Sequence, residues 1–479
     1  MEIGLKYFRA ACLVILVSTG FGQRDSRPNI LWVVSDDHSV PHLSSYGNAE
    51  VKTPVMEAFA KEGMQFNRVY TTAPQCAPSR SSFATGKSPI RLRTDRFSAP
   101  LPVGEATFYE RLGESGYYTG FAGRSHHLDG SEMRHLAPTT ARLFQEHDRI
   151  TMPSRLDFHE KGNQQHGLDQ FPIFLDQVPE GKPWFLQIGF TDPHRPLTAP
   201  KIHDPSALTL PSHFPDTPEV REDFAAYYDE VAHLDKDFGH ILSELDKRDF
   251  KQKTVVVFIG DNGAALLRGK GTLYEFGLNV PMIVRWPGVV APNSSSDALI
   301  SGEDLAPTFL DIAGGPPLDD ITGKSFVPVL KDPQTRIRER LFAERGSHGG
   351  NARVASLASW DLSRCVITDQ YKLIYNAFPE RAYAPVDFAN RPSWRSIVKR
   401  HQEGALAAKF QQMYFPDSRP IFELYDLGAD PGEERNLSGN SEYAELELNL
   451  KRHLHEWMFL EGDSVPLPIH RNDEPQETP

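Results

Sequence analysis

Four apolar runs, each ending in charged or hydrogen-bonding residues, constrain this sequence most. Residues 29–35 (Asn-Ile-Leu-Trp-Val-Val-Ser) lead into Asp36-Asp37-His38, and residues 117–122 into Gly123-Arg124-Ser125-His126-His127. Residues 184–190 lead into Thr191-Asp192-Pro193-His194, and residues 254–259 into Gly260-Asp261-Asn262-Gly263. Unbroken apolar runs, as opposed to alternating ones, mark strands buried on both faces, as in parallel sheets. Helical patterns lie between them. Thr53-Pro54 precedes Val55, Met56, Phe59 and Ala60; residues 108–113 carry the helical period; Tyr227, Val231, Leu234, Phe238, Ile241 and Leu242 extend it through 220–245. The alternation predicts an α/β fold: a large, mostly parallel mixed sheet sandwiched by helices. Ligands in such sheets bind beyond the carboxyl ends of the strands. One Asp or His at a strand end also serves as a cap or turn. Four such ends together point to an active site.

Length and charge narrow the reading. The 479 residues exceed what one core usually fills, so a second, smaller domain is expected. A net charge of −13 without basic runs argues against nucleic acid. Residues 1–22 read as a secretory signal: Lys6 and Arg9 precede the apolar run 10–17, and Gly20-Phe21-Gly22 precedes polar residues. That run is too short to span a bilayer, so export to the periplasm or beyond, without stable membrane insertion, is expected. Cys12 would leave with the signal. The two remaining cysteines, Cys76 and Cys365, either pair in an oxidising compartment or serve separate ends.

Asp36, Asp37, Asp261 and Asn262 form an all-oxygen donor set, which suits a hard cation, Ca2+ or Mg2+, better than Zn2+. Three carboxylates at one sheet edge repel one another unless cationic charge intervenes. The blander reading makes the Asp36-Asp37 pair a helix cap and Asp261-Asn262-Gly263 a turn.

The most specific stretch is Cys76-Ala77-Pro78-Ser79-Arg80-Ser81-Ser82-Phe83-Ala84-Thr85-Gly86. Pro78 fits a first helical turn and Gly86 a helix end, which places Cys76 at a helix N-terminus that favours anionic groups. Cys-x-Pro-Ser-Arg followed by Thr-Gly resembles the signature of type I sulfatases, of the alkaline phosphatase superfamily. Residues 269–288, Leu305-Ala-Pro-Thr308, residues 424–433 and Asn436-Leu437 resemble later landmarks of that family, so the likeness covers residues 28–457.

The resemblance implies that Cys76 is oxidised by a maturation enzyme to formylglycine, whose hydrate attacks sulfur. It implies Asp36, Asp37, Cys76, Asp261 and Asn262 as ligands of a divalent cation, expected to be Ca2+, and Arg80 as the residue that steadies the hydrate. Lys270 matches the sulfate-binding lysine, and His194 the histidine that helps protonate the leaving group. His126 aligns with the base that releases sulfate, and Arg124 stands where a lysine is usual, exchanging a point charge for a planar fork. Asn279 stands where an arginine is common.

The chain after about residue 336 changes character. A hairpin over 364–376 turning at Asp369-Gln370, a strand over 421–427 and a helix over 443–457 suggest a small α+β unit with an antiparallel sheet. The expected layout is a catalytic domain over 28–335, a C-terminal subdomain over 336–465 and a mobile tail over 466–479. The segment 211–224 with Tyr227 and Asp235 resembles sulfatases of carbohydrate sulfates, and 391–457 somewhat resembles the glucosamine N-sulfatase branch. His127, Asp192, Arg195, His348 and Arg353 are candidates to line a polar sugar pocket. The expected activity is removal of O- or N-sulfate from a sulfated oligo- or polysaccharide. The rivals are a phosphodiesterase or phosphonate monoester hydrolase of the same superfamily, and a non-catalytic glycan-binding homologue.

Overall fold

The computed structural model describes residues 27–95, 101–102, 104–125, 127–128, 155–346, 348 and 361–465. The signal, the tail, His126 and Arg353 lie outside the described residues. The strands in chain order are β1 (Asn29–Ser35), β2 (Met64–Phe66), β3 (Val69–Tyr70), β4 (Tyr118–Gly123), β5 (Phe158–Lys161), β6 (Trp184–Gly189) and β7 (Thr254–Gly260). They continue as β8 (Met282–Arg285), β9 (Ser294–Ser296), β10 (Ile300–Ser301), β11 (Arg340–Arg345), β12 (Ser363–Thr368), β13 (Tyr371–Asn376) and β14 (Phe422–Asp426).

Eight of them form one sheet in the order β5-β4-β6-β1-β7-β8-β2-β9. Its half from β5 to β7 is parallel, while β8 runs antiparallel to both β7 and β2, so the sheet is mixed as expected. The four strands read from the sequence are contiguous, β4-β6-β1-β7, and their carboxyl ends lie side by side. Register makes this concrete: Val34 pairs with Gly189 and Ser35 with Gly260, so the residues that follow are neighbours.

Side chains alternate between two cores. Ile30, Trp32 and Val34 of β1 face the core that receives Phe83 from the helix Cys76–Thr85 and Phe309 from Leu305–Ala313. Leu31 and Val33 face the opposite core, built with the helices Pro54–Glu62, Gln164–Gln177 and Pro218–Lys247. Each such large side chain, fully buried, contributes about 1.5–3 kcal/mol. The long helix starts at Pro218 with Thr217 as its N-cap, the Thr217 hydroxyl accepting from the Val220 N–H. Its Asp235 carboxylate accepts from the Val55 and Met56 amides (3.1 and 2.7 Å), tying down the start of the helix Pro54–Glu62.

Strands β11-β12-β13-β14 form a separate antiparallel sheet. One face carries Val366, Leu373 and Leu424 against Leu450, Leu454 and Met458 of the helix Ala444–Glu461. The other face puts Leu341, Cys365, Ile367 and Ile374 against Tyr70, Leu273 and Leu278, which docks this sheet beside the loop that carries Lys270. Cys365 is therefore an apolar core residue, and both it and Cys76 are buried free thiols. That excludes their pairing. No described helix is long and apolar enough to cross a membrane.

Trp32 lies among the rings of Phe83, Phe108, Phe185 and Phe309, with centroids 5.2–6.5 Å away. Trp32→Ala should cost about 3–5 kcal/mol in denaturant unfolding. Phe459→Ala, on a side chain 80% exposed, should change stability by less than about 0.5 kcal/mol.

Candidate active site

The site grows from backbone bonds between strand ends. The Asp261 N–H donates to the Ser35 carbonyl (3.0 Å), the Asp36 N–H to the Asp192 carbonyl (3.1 Å) and the Arg124 N–H to the Gly189 carbonyl (3.0 Å). Strand-like pairing thus continues past the strand ends and converges Asp36, Asp37, Arg124, Asp192 and Asp261. Asp37 takes a left-handed backbone (φ 64°), which turns its carboxylate back towards Asp261. Asp261 Oδ1 accepts from the Asp37 and Asn262 amides (3.0 and 2.7 Å).

The Cys76 helix spans Cys76–Thr85 with Gln75 as N-cap, ends at left-handed Gly86, and is buried along its whole length. Cys76 Sγ lies 3.4 Å from Asp36 Oδ1 and 3.9 Å from Asp37 Oδ1. One turn on, Arg80 Nε donates to Asp261 Oδ2 (2.9 Å) and a terminal nitrogen donates to Asp36 Oδ2 (3.2 Å). Ser79 Oγ donates to the Asp261 carbonyl (2.6 Å), and Tyr227 O–H to the Asp37 carbonyl (3.0 Å). Lys270 Nζ contacts both Asp37 oxygens (2.8 and 3.1 Å) and Asp387 Oδ2 (2.8 Å). Arg124 Nε pairs with Asp36, and His127 Nε2 lies 3.7 Å from the same oxygen.

Electrostatics divides the three carboxylates. Burial pushes Asp36 up, but Arg124, then His194 and Arg80, overcome this and hold it well below the usual range. Burial together with neighbouring carboxylates pushes Asp37 and Asp261 up to about 6, against the pull of Lys270 and Arg80 respectively. Burial and the same carboxylates keep the Cys76 thiol protonated, its pKa raised well above normal. Burial and the charges of Lys270 and Arg124 push His194 down to about 4, so its ring is neutral at neutral pH.

The donor set fits a hard cation. Asp36, Asp37, Cys76 and Asp261 each offer a ligand atom within 4.8 Å of the others, and buried Asn262 Oδ1 has no hydrogen-bond partner. An orphaned acceptor beside crowded carboxylates is what a cation would satisfy.

Arg195 has its guanidinium held by protein groups. Its fork grips Asp223 (2.8 and 2.5 Å), its Nε donates to the Ala265 carbonyl (3.2 Å), and it is buried. Asp192 also turns away from the pocket, accepting from Gln164 (3.0 Å) and pairing with His233 (2.7 Å). His348 reaches the site through Asp387, its Nε2 lying 3.6 Å from Oδ1. Asp387 was not read from the sequence, because Val386-Asp387-Phe388 sits in an irregular loop without strand end or motif. Asn279 is half-buried, and its side-chain amide bonds the Asn67 carbonyl and Glu275.

A buried cluster of carboxylates, cationic side chains and a thiol at the carboxyl edge of a doubly wound sheet suits the hydrolysis of anionic esters. Residues 28–315 match the family model described as Sulfatase, and the chain belongs to that family. Residues 266–412 match a second model, described as N-sulphoglucosamine sulphohydrolase, C-terminal. An ulvan-active sulfatase of Formosa agariphila is 28% identical over 474 residues, covering 92% of this chain and 76% of that protein. Human N-sulphoglucosamine sulphohydrolase is 25% identical over 500 residues, covering 94% and 93%. Two solved structures share the fold. One, solved in complex with its substrate D-glucosamine-2-N,6-O-disulfate, has a TM-score of 0.66 at 20% identity and covers 92% of this chain and 99% of that one. The other, a phosphonate monoester hydrolase of Agrobacterium radiobacter, has a TM-score of 0.68 at 19% identity, covering 91% and 96%. The chain is a sulfuric ester hydrolase of a family that generally uses formylglycine and a divalent metal.

The raised Asp37 and Asp261 carboxyls carry a test. A carboxyl near 6 folded and about 3.9 unfolded binds more protons when folded. Its contribution to stability is fully present below about pH 4 and is lost as pH rises through about 6. Asp36, being lowered, titrates below this window. In chelator the melting temperature should fall over that interval, and millimolar Ca2+ should abolish the fall. Equal melting temperatures with and without the ion at about pH 7.5 would rule out a cation here.

Proposed function

We propose that this chain is an exported sulfatase that removes O- or N-sulfate from a sulfated carbohydrate, using formylglycine made from Cys76 by a maturation enzyme. The observation that carries the nucleophile assignment is the Cys76 environment. A reactive thiolate needs positive surroundings, but this thiol is buried beside Asp36 and Asp37 and stays protonated. Left as cysteine it is a poor nucleophile. As a hydrated aldehyde it would supply an attacking hydroxyl, while a cation, proposed to be Ca2+ held by Asp36, Asp37, Asp261, Asn262 and position 76, would draw charge off the sulfate oxygens.

The remaining steps belong to this chain's own side chains. Arg80 holds Asp36 and Asp261 apart and in place. Arg124 and Lys270 supply positive charge to the sulfate, with Arg124 partly open to the cleft. His194 Nδ1 donates to the Arg195 carbonyl, which leaves Nε2 without a proton in the neutral ring. Lys270, held protonated by Asp37 and Asp387 despite its burial, is therefore the proton source of the free enzyme. His194 Nε2 joins it once a bound anion raises the imidazole. His126 is assigned the base that releases sulfate, and Arg195 positions the His194 loop through Asp223.

The carbohydrate assignment draws on the relatives named above, of which one is ulvan-active and one is an N-sulphoglucosamine sulphohydrolase. A catalytic domain over 28–335 and a C-terminal subdomain over 336–465 are proposed as the working division.

Mass spectrometry of the Cys76 peptide from the native host should show formylglycine, and a sulfate-release screen over glycosaminoglycan and algal oligosaccharides should find a substrate. Cys76→Ala should lower turnover by at least about 10³-fold, and Lys270→Ala by about 10²–10³-fold. His194→Ala should cost about 10²-fold or more on a sugar sulfate but far less on an activated aryl sulfate, whose leaving group needs no proton. An unmodified thiol in active native enzyme would overturn the nucleophile, and equal losses on both substrates would remove His194 from proton transfer.

A further inference from the structure

The fold does not by itself choose between sulfur and phosphorus, since a phosphonate monoester hydrolase shares it. A phosphonate monoester, like a sulfate monoester, is a monoanion, so charge separates sulfate esters from phosphate monoesters only. A sulfate monoester carries one negative charge, whereas a phosphate monoester near neutral pH carries close to two. A site matched to the monoanion needs one unit of positive charge less than a site matched to the dianion, whatever a bound cation adds to both.

We infer that Asp387, supplied by the loop between β13 and β14, is the specificity-determining carboxylate that sets this charge balance and biases the site towards monoanionic sulfate over dianionic phosphate. Asp387 Oδ2 lies 2.8 Å from Lys270 Nζ and 3.8 Å from His194 Nε2, and its other oxygen lies 3.6 Å from His348 Nε2. Its side chain is 31% exposed, in contrast to the fully buried Asp36, Asp37 and Asp261, so of the four carboxylates it is the one open to solvent. Lys270, with His348, holds it ionised against the cost of burial.

The neighbours on either side brace it. Val386 packs against Gly271, where a Cβ would come within 2.4 Å of Val386 Cγ2, and so fixes Asp387 beside Lys270. Phe388 lies under the Arg195 guanidinium (5.6 Å to the ring centre) and joins the core with Trp394, Leu266 and Leu267. Ser393 Oγ then donates to Asp223, the partner of Arg195 (2.9 Å). The carboxylate is thus built into both loops that bear the leaving-group side of the site. It acts on the sulfuryl group through Lys270, whose charge it offsets.

The inference rests on the sulfatase reading but not on the sugar. Asp387 has a left-handed backbone (φ 66°), a conformation Asn tolerates well, so Asp387→Asn removes the charge without straining the chain. The test measures dissociation constants of methyl sulfate and methyl phosphate, and kcat/KM for 4-nitrophenyl sulfate and phosphate, on matured, metal-loaded enzyme. At about pH 8 Asp387→Asn should shift selectivity towards phosphate by about tenfold. Near pH 5, where the phosphate ester carries one charge, the shift should shrink to about twofold. Asp387→Glu should keep the wild-type ratio. An unchanged ratio, an equal loss on both esters, a shift of the same size at both pH values, or an Asn-like Asp387→Glu would overturn the role of Asp387. Failure of wild-type enzyme to bind methyl sulfate would instead count against the sulfatase reading.

Discussion

The repulsion among three buried carboxylates at adjacent strand ends is the constraint on which the rest of the structure depends. Two unit charges about 5 Å apart repel by about 3 kcal/mol even at a moderate internal dielectric. Asp36, Asp37 and Asp261 cannot move apart, because the backbone bonds that extend β1 and β7 fix their Cα positions. Positive groups must come to them. Arg80 bridges Asp36 and Asp261, Arg124 adds to Asp36, and Lys270 binds Asp37. Removing one partner of such a buried pair leaves an uncompensated charge, a loss of about 3–5 kcal/mol. The proposed catalytic apparatus and the stability of the sheet edge are therefore one arrangement.

The same demand explains the character of the Cys76 helix. It is buried on every side yet rich in Ser and Thr, which would be unusual for a helix held only by apolar packing. One side faces the carboxylates and needs small polar groups, Ser79 bonding the Asp261 carbonyl. Phe83 and Ala84 lie in the core around Trp32. Thr85 satisfies its own hydroxyl on the Ser81 carbonyl, so a polar residue is buried at little cost. The helix can thus lie between charge and hydrocarbon while holding residue 76 at its N-terminus.

These features were unequally legible in the sequence. The parallel strands were plain because both faces are buried, so no charged residue interrupts them, and the clustered Asp36, Asp37 and Asp261 were plain because they follow strand ends. The C-terminal hairpin was visible from its Asp369-Gln370 turn and flanking β-branched and aromatic residues. Arg195 was read as a candidate for a sugar pocket, but its direction is set by Asp223 on another element, which spacing does not reveal. The His194 tautomer depends on which atom faces the Arg195 carbonyl, a matter of geometry alone. Asp387 was invisible because its meaning comes from packing against Gly271 and Arg195, distant in sequence.

The placement of Asp387 also assigns a purpose to the second sheet. The edge of the first sheet, with the helix Cys76–Thr85, gathers Asp36, Asp37, Cys76, Arg80 and Asp261, the proposed nucleophile and cation site. The antiparallel sheet docks through Leu341, Cys365, Ile367 and Ile374 onto Leu273 and Leu278, which flank the Lys270 loop. Its β13–β14 loop then reaches back over the leaving-group side. A substitution in that loop acts on the ester mainly through Lys270 and His194, which Asp387 contacts. Chemistry held by strand ends and selectivity held by a docked loop can therefore diverge separately.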